Sequence, residues 1–172
     1  MLRNLLSILF VSLLIIGCNS HKDKDIFDSA ENNYTAKNYK KALEEYMQVI
    51  NEYSTSDYAA QSLLKVGSMY QMFLVPSISN EVSNQKAVEF YRKLYKDFPQ
   101  NANAPKAVFM SGFLLANDLK KYEEAKMAYT TFLEKFPNDP LAAQVKLELA
   151  NIGKSPEEIL ESRLSSKSSK HN

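Results

Sequence analysis

Between about residues 26 and 152, apolar side chains recur every three or four positions, the spacing that places them on one stripe of an α-helix. Tyr122, Ala125, Tyr129, Phe132, Leu133 and Phe136 form the clearest such stripe. It ends at Phe136-Pro137. A new helix over about Asp139 to Asn151 is then expected, with Asp139 as its N-cap and Pro140 in its first turn. Near residue 54, Ser54 takes the place of the proline, and Ser56 or Asp57 is the expected cap. Gly153 fits the stop of the last long helix. Ser155-Pro156-Glu157-Glu158 then reads as an N-cap, a first-turn proline and a capping box opening one more short helix. From Ser165 onward the chain is serine and lysine with no apolar period, and a frayed tail is expected.

The stripes are copies of one pattern. An alanine is followed four residues later by a tyrosine, eleven later by another aromatic and seventeen later by a second alanine. The three copies are Ala42/Tyr46/Tyr53/Ala59, Ala87/Tyr91/Phe98/Ala104 and Ala125/Tyr129/Phe136/Ala142. The alanine lets one helix approach its neighbour, and the aromatic one turn on fills the space beside it. Two packed helices per copy follow, so the expected fold is all-α, a solenoid of about three helical hairpins closed by a capping helix. The distance from Ala42 to Ala87 is 45 residues and that from Ala87 to Ala125 is 38. The excess falls at about Met72 to Asn84, a loop or an extended helix end that contains Phe73-Leu74-Val75-Pro76.

These residues resemble the tetratricopeptide repeat, which carries Gly or Ala, then Tyr, then Ala, an aromatic and Pro at near-fixed positions. Ala30 and Tyr34 precede Ala42 as that pattern asks, and Gly67 and Tyr70 precede Ala87. The endings, aromatic-Pro followed by a polar pair and an Ala-rich helix, look like those of the BamD-type lipoproteins of outer-membrane β-barrel assembly. The resemblance implies a protein-binding groove lined by the first helix of each pair. Transferred position by position, it implies Phe27, Glu31 and Tyr34 in the first repeat, Leu64, Gln71 and Met72 in the second, and Asn117 and Asp118 in the third. Phe73, in the apolar insertion, is a separate candidate contact, because such a segment either folds back or meets a partner.

The N-terminal segment has a different pattern. Arg3 is followed by Leu5 to Ile16, apolar except for Ser7 and Ser12. Twelve residues are too few for a spanning helix of about 20 and suit a signal-peptide core. The run ends in Ile15-Ile16-Gly17-Cys18 and turns abruptly polar, and Cys18 is the only cysteine. This resembles a bacterial lipobox and implies cleavage before Cys18, acylation (palmitate among the acyl groups) and tethering by lipid. Asn19, rather than Asp, in the next position implies the inner leaflet of the outer membrane, facing the periplasm, over the inner membrane. The expected plan is therefore a signal peptide over 1–17, a polar tether over 18–25, a repeat domain over 26–153, and a short helix with a tail over 154–172.

Charge and chemistry narrow the functions. The chain has 21 basic and 20 acidic residues, which gives no electrostatic footprint for nucleic acid. One cysteine excludes an intrachain disulfide and a cysteine-based zinc site. The only histidines, His21 and His171, stand in the expected tether and tail, away from any triad or metal site. Gly153-Lys154-Ser155 looks like the end of a phosphate loop, but Glu148 occupies the place of its first glycine. Glu44-Glu45 and Glu123-Glu124 lie beside the repeat alanines with lysines nearby, and read as solvated, ion-paired faces. No enzyme activity, metal, cofactor or small-molecule substrate is expected. The expected function is a lipid-anchored scaffold for envelope proteins, in outer-membrane protein assembly. The alternatives are a scaffold for cell-wall, division or secretin complexes, or an adaptor on an uncleaved inner-membrane anchor.

Overall fold

A computed structural model of the chain describes residues 21–161, which form an all-helical tetratricopeptide-like solenoid. Seven helices follow one another: α1 (Lys22–Thr35), α2 (Tyr39–Glu52), α3 (Asp57–Gln71), α4 (Asn80–Asp97), α5 (Ala104–Asn117), α6 (Tyr122–Lys135) and α7 (Ala142–Asn151). An eighth opens at 156–161. Each of the seven packs against the next, and α1 also reaches α3, so the pairs α1/α2, α3/α4 and α5/α6 stack in order with α7 closing the end. No described helix is long and apolar enough to cross a membrane. The expected signal peptide, residues 18–20 of the expected tether including Cys18, and the tail from residue 162 lie outside the described residues.

The repeated alanines and tyrosines form the seams. Ala42, Ala87 and Ala125 are fully buried, as are Tyr46, Tyr91 and Tyr129 one turn further on. Tyr91 and Tyr129 press against glycines of the preceding helix. A Cβ on Gly67 would sit 2.7 Å from the Tyr91 ring, and one on Gly112 would sit 2.6 Å from the Tyr129 ring. Glycine is therefore required at these two places by close approach, at a cost of about 1 kcal/mol each in helix propensity. The tyrosine contacts also set the register of the third repeat: Gly112 stands where Gly67 stands in the second.

The expected ends at Ser56, Gly153 and Ser155 form, and Ser79 adds a cap of the same kind. Ser56 caps α3, its side chain accepting from Ala59 N, and Ser79 caps α4 through Val82 N. Gly153 has φ +75°. The capping box at Ser155 forms in both directions: Ser155 N donates to Glu158 Oε2 at 2.7 Å and Glu158 N donates to Ser155 Oγ at 3.3 Å.

Three boundaries differ from expectation. α1 begins at Lys22, so 22–25 is helix and not tether; Asp23 and Asp25 lie in its first turn, where carboxylates favour the positive helix end, and Lys24 pairs with Asp28. α7 begins at Ala142, because Asp139 spends its carboxylate on Leu141 N at 2.8 Å and caps a preceding turn. The insertion combines a loop and a helix extension. α4 starts eleven residues before Tyr91, whereas α2 and α6 start seven before Tyr46 and Tyr129, and 72–79 is a longer connection than 36–38 or 118–121.

Candidate functional site

The first helices α1 and α3 share a face on which polar side chains are tied together across the repeat boundary. Glu31 on α1 is its centre. One carboxylate oxygen accepts the hydroxyl of buried Tyr46 from α2, and the other lies 2.7 Å from Lys65 Nζ on α3. The same ammonium stands 5.6 Å from the Tyr34 ring centroid, and that ring meets Tyr39 edge-on at 5.6 Å. The Tyr34 hydroxyl and Ser68 Oγ both turn toward Met72 Sδ, at 3.9 and 3.7 Å. Beside them the Tyr91 hydroxyl donates to Gln71 Oε1 at 2.7 Å. Burial, and for Tyr46 also the adjoining Glu31 carboxylate, push both phenols well above the ordinary tyrosine range, so they are fixed donors. The face therefore presents a partly exposed cation, aromatic edges, a thioether and an amide, already held in place from beneath.

The expected site residues separate into three groups. Glu31, Tyr34, Gln71 and Met72 come together on this face. Phe27 does not join them: it is buried against Tyr46 and Tyr58, with ring centroids 5.8 and 5.3 Å apart, and belongs to the core. Leu64 is half-buried and packs on the same core. Asn117 is exposed and spends its amide on Phe113 O of its own helix. Asp118 and Phe73 lie elsewhere, lining one cleft at the edge of the solenoid formed by the loops within each pair.

At that edge the insertion does two things at once. Leu74 folds back against the core, while Met72 and Phe73 stay out, 55% and 46% exposed. Phe73 has φ 55°, the left-handed conformation that closes α3: Phe73 N bonds Tyr70 O and Leu74 N bonds Met69 O, both at 3.0 Å. The ring borders a cleft on each side. One is lined by Lys37, Lys40, Lys41, Tyr39 and Glu44, the other by Asn80, Glu81, Asn84, Asp118 and Leu119.

The sequence pattern singles out neither Lys65 nor Ser68, and it reads Glu45 as part of a solvated, ion-paired face, of which the Lys41 pair at 3.9 Å is present. Glu45 is not on a solvated face: its carboxylate accepts Ser29 Oγ at 2.9 Å and Asn33 Nδ2 at 2.8 Å, because the residue before Tyr46 turns toward α1. Glu124 does lie on an open face, where the Arg92 guanidinium at 2.8 Å holds its carboxyl below the usual range. Among the described residues no three His, Cys, Asp or Glu side chains gather into a group that could hold a metal.

Residues 106–139, which span most of α5, all of α6 and the turn after it, match the tetratricopeptide repeat family model. No curated protein matches the chain at a significant level. The matched unit contains Gly112, Ala125, Tyr129, Phe136 and Pro137, the residues that make the seam of the third pair.

Proposed function

We propose that this chain is a lipid-anchored scaffold of the bacterial envelope, held through Cys18 and presenting the α1/α3 face to partner proteins on the periplasmic side. The observation that carries the scaffold reading is the Glu31–Lys65–Tyr34–Met72 array. Helical-repeat proteins use such first-helix faces to bind peptides and helices. Here the side chains are ordered before a partner arrives, which lowers the entropic cost of binding. The anchor rests on the sequence: an apolar run of signal-peptide length, Gly17, and the single Cys18 before polar residues.

Outer-membrane protein assembly is the process we assign, on the BamD-like endings of the repeats and on Asn19 after Cys18. Two experiments test the parts separately. Growth with an alkyne fatty acid labels the wild-type chain and leaves Cys18→Ala unlabelled; labelling of that variant contradicts the anchor. Crosslinking in envelope fractions, followed by identification of the captured proteins, recovers β-barrel assembly components. Recovery of cell-wall, division or secretin components instead moves the scaffold to one of those processes and contradicts the assignment.

A further inference from the structure

We infer that Met72 is a redox modification site: a peroxide converts its thioether to the sulfoxide, and the Tyr34 and Ser68 hydroxyls hold the oxygen that is added. Met72 closes α3 and is 55% exposed. The Tyr34 hydroxyl lies 3.9 Å and Ser68 Oγ 3.7 Å from its Sδ, and both contacts are open to solvent. The sulfur is therefore within reach of a small oxidant, and two hydroxyl donors already stand beside it. No other methionine among the described residues combines these features. Met69 is fully buried, and Met47 and Met110 are partly buried against the core. Met127 is 71% exposed, but its sulfur receives no hydrogen bond among the described residues.

The step needs only the peroxide. A sulfur lone pair attacks one oxygen of hydrogen peroxide and the O–O bond breaks. The proton of the transferred hydroxyl passes to the departing one, which leaves as water; sulfur loses two electrons and the peroxide gains them. A hydroxyl that donates to sulfur lies beside a lone pair, which is where the oxygen arrives. Thioether sulfur is a weak acceptor, whereas the sulfoxide oxygen is strongly polar, so two long contacts become ordinary O–H···O hydrogen bonds. Tyr34 belongs to α1 and Ser68 to α3, so the sulfoxide ties the two first helices together more firmly than the thioether does. A thiol-dependent sulfoxide reductase restores the thioether. The consequence for docking rests on the α1/α3 face being the partner surface. There oxidation replaces an adaptable apolar contact by a polar group turned toward its own chain, and partner capture falls.

The full chain, in detergent micelles, is treated with hydrogen peroxide; peptide mass spectrometry reads the oxidation of each methionine and circular dichroism reads melting. Met72 and Met127 are expected to oxidise about tenfold faster than Met47, Met69 and Met110, because exposure governs access. In a Met127→Leu background, oxidation is expected to raise the melting temperature by about 2 °C, the scale of a modest gain in a chain of this size. The further replacements Tyr34→Phe and Ser68→Ala are expected to abolish that rise. Oxidation of Met72 no faster than that of the buried methionines, a melting temperature that does not rise, or an equal rise without the two hydroxyls would each overturn the site. In envelope crosslinking, peroxide is expected to lower capture several-fold for the wild type and not for Met72→Leu; capture indifferent to peroxide in both overturns the docking consequence. No capture before peroxide contradicts the docking reading instead, and the mass and melting results still decide the site.

Discussion

Lys65 on α3 places its ammonium 2.7 Å from the Glu31 carboxylate on α1, and the other oxygen of that carboxylate takes the hydroxyl of Tyr46, which is fully buried. The two contacts differ in what they do. Lys65 and Glu31 are each about one-third exposed, so solvent screens the ion pair, and an exposed pair contributes at most about 1 kcal/mol. The Tyr46 hydroxyl has no route to water, and losing its acceptor costs about 1–3 kcal/mol. Glu31→Ala is therefore expected to lower the unfolding free energy by about 2 kcal/mol, and Lys65→Met by less than about 1 kcal/mol. Urea titration followed by circular dichroism reads both; equal losses would mean that Glu31 acts through Lys65 alone.

The three repeat tyrosines are alike in ring packing and unlike at the hydroxyl. Tyr46 has Glu31, Tyr91 has Gln71, and the Tyr129 oxygen is buried with no partner among the described residues. Phe113 and Ala116 on α5 take the places of Glu31 or Ser68 and of Gln71, once Gly112 is aligned with Gly67. Replacing Tyr46 or Tyr91 by Phe is expected to cost about 1 kcal/mol, and Tyr129→Phe to be neutral or stabilising. Thermal unfolding of the three variants gives the order; a loss at Tyr129 as large as at Tyr46 contradicts it.

The same burial makes stability fall in alkali. Each of the three phenols ionises well above its ordinary value of about 10 in the folded chain, chiefly because burial disfavours the phenolate. The folded state thus holds protons that the unfolded state releases above pH 10. Stability from this source is complete below that pH and declines as pH rises, by about 1.4 kcal/mol per unit for each tyrosine. Denaturant midpoints between pH 9 and 11.5 should show the decline. Any one Tyr→Phe replacement should remove about one-third of the slope.

Phe73 carries a backbone cost that burial of its ring does not offset. It holds a left-handed conformation usually given to glycine, and its ring is nearly half exposed. Phe73→Gly is expected to raise the unfolding free energy by about 1 kcal/mol while removing the aromatic wall of the Asp118 cleft. A melting temperature below that of the wild type would show that the ring is needed for packing.

The sequence revealed the solenoid because its seams are made by residues that cannot be exchanged freely. Ala42, Ala87 and Ala125 recur with a tyrosine four residues on, and the period exposes the helix pairs directly. The candidate face was half legible. Glu31, Tyr34, Gln71 and Met72 fall where first-helix positions predict, whereas Lys65 is indistinguishable from a solvated lysine until α1 and α3 are brought together. Phe27 misled for a related reason: an aromatic on a first helix reads the same whether it faces a groove or, as here, Tyr46 and Tyr58. Glu45 beside Glu44 looked like a charged surface pair, and only the position of Ser29 and Asn33 across the helix boundary shows it to be tied down.

The most direct test of the scaffold is site-specific photo-crosslinking in living cells. A photoreactive residue at Tyr34 or Met72, on the α1/α3 face, is compared with one at Lys126, on the exposed side of α6. The account predicts that both face positions capture the same discrete envelope protein, that the capture diminishes when Lys65 is replaced by Glu, and that Lys126 captures nothing comparable. Capture of the same protein from Lys126, or no discrete product from either face position, would contradict it.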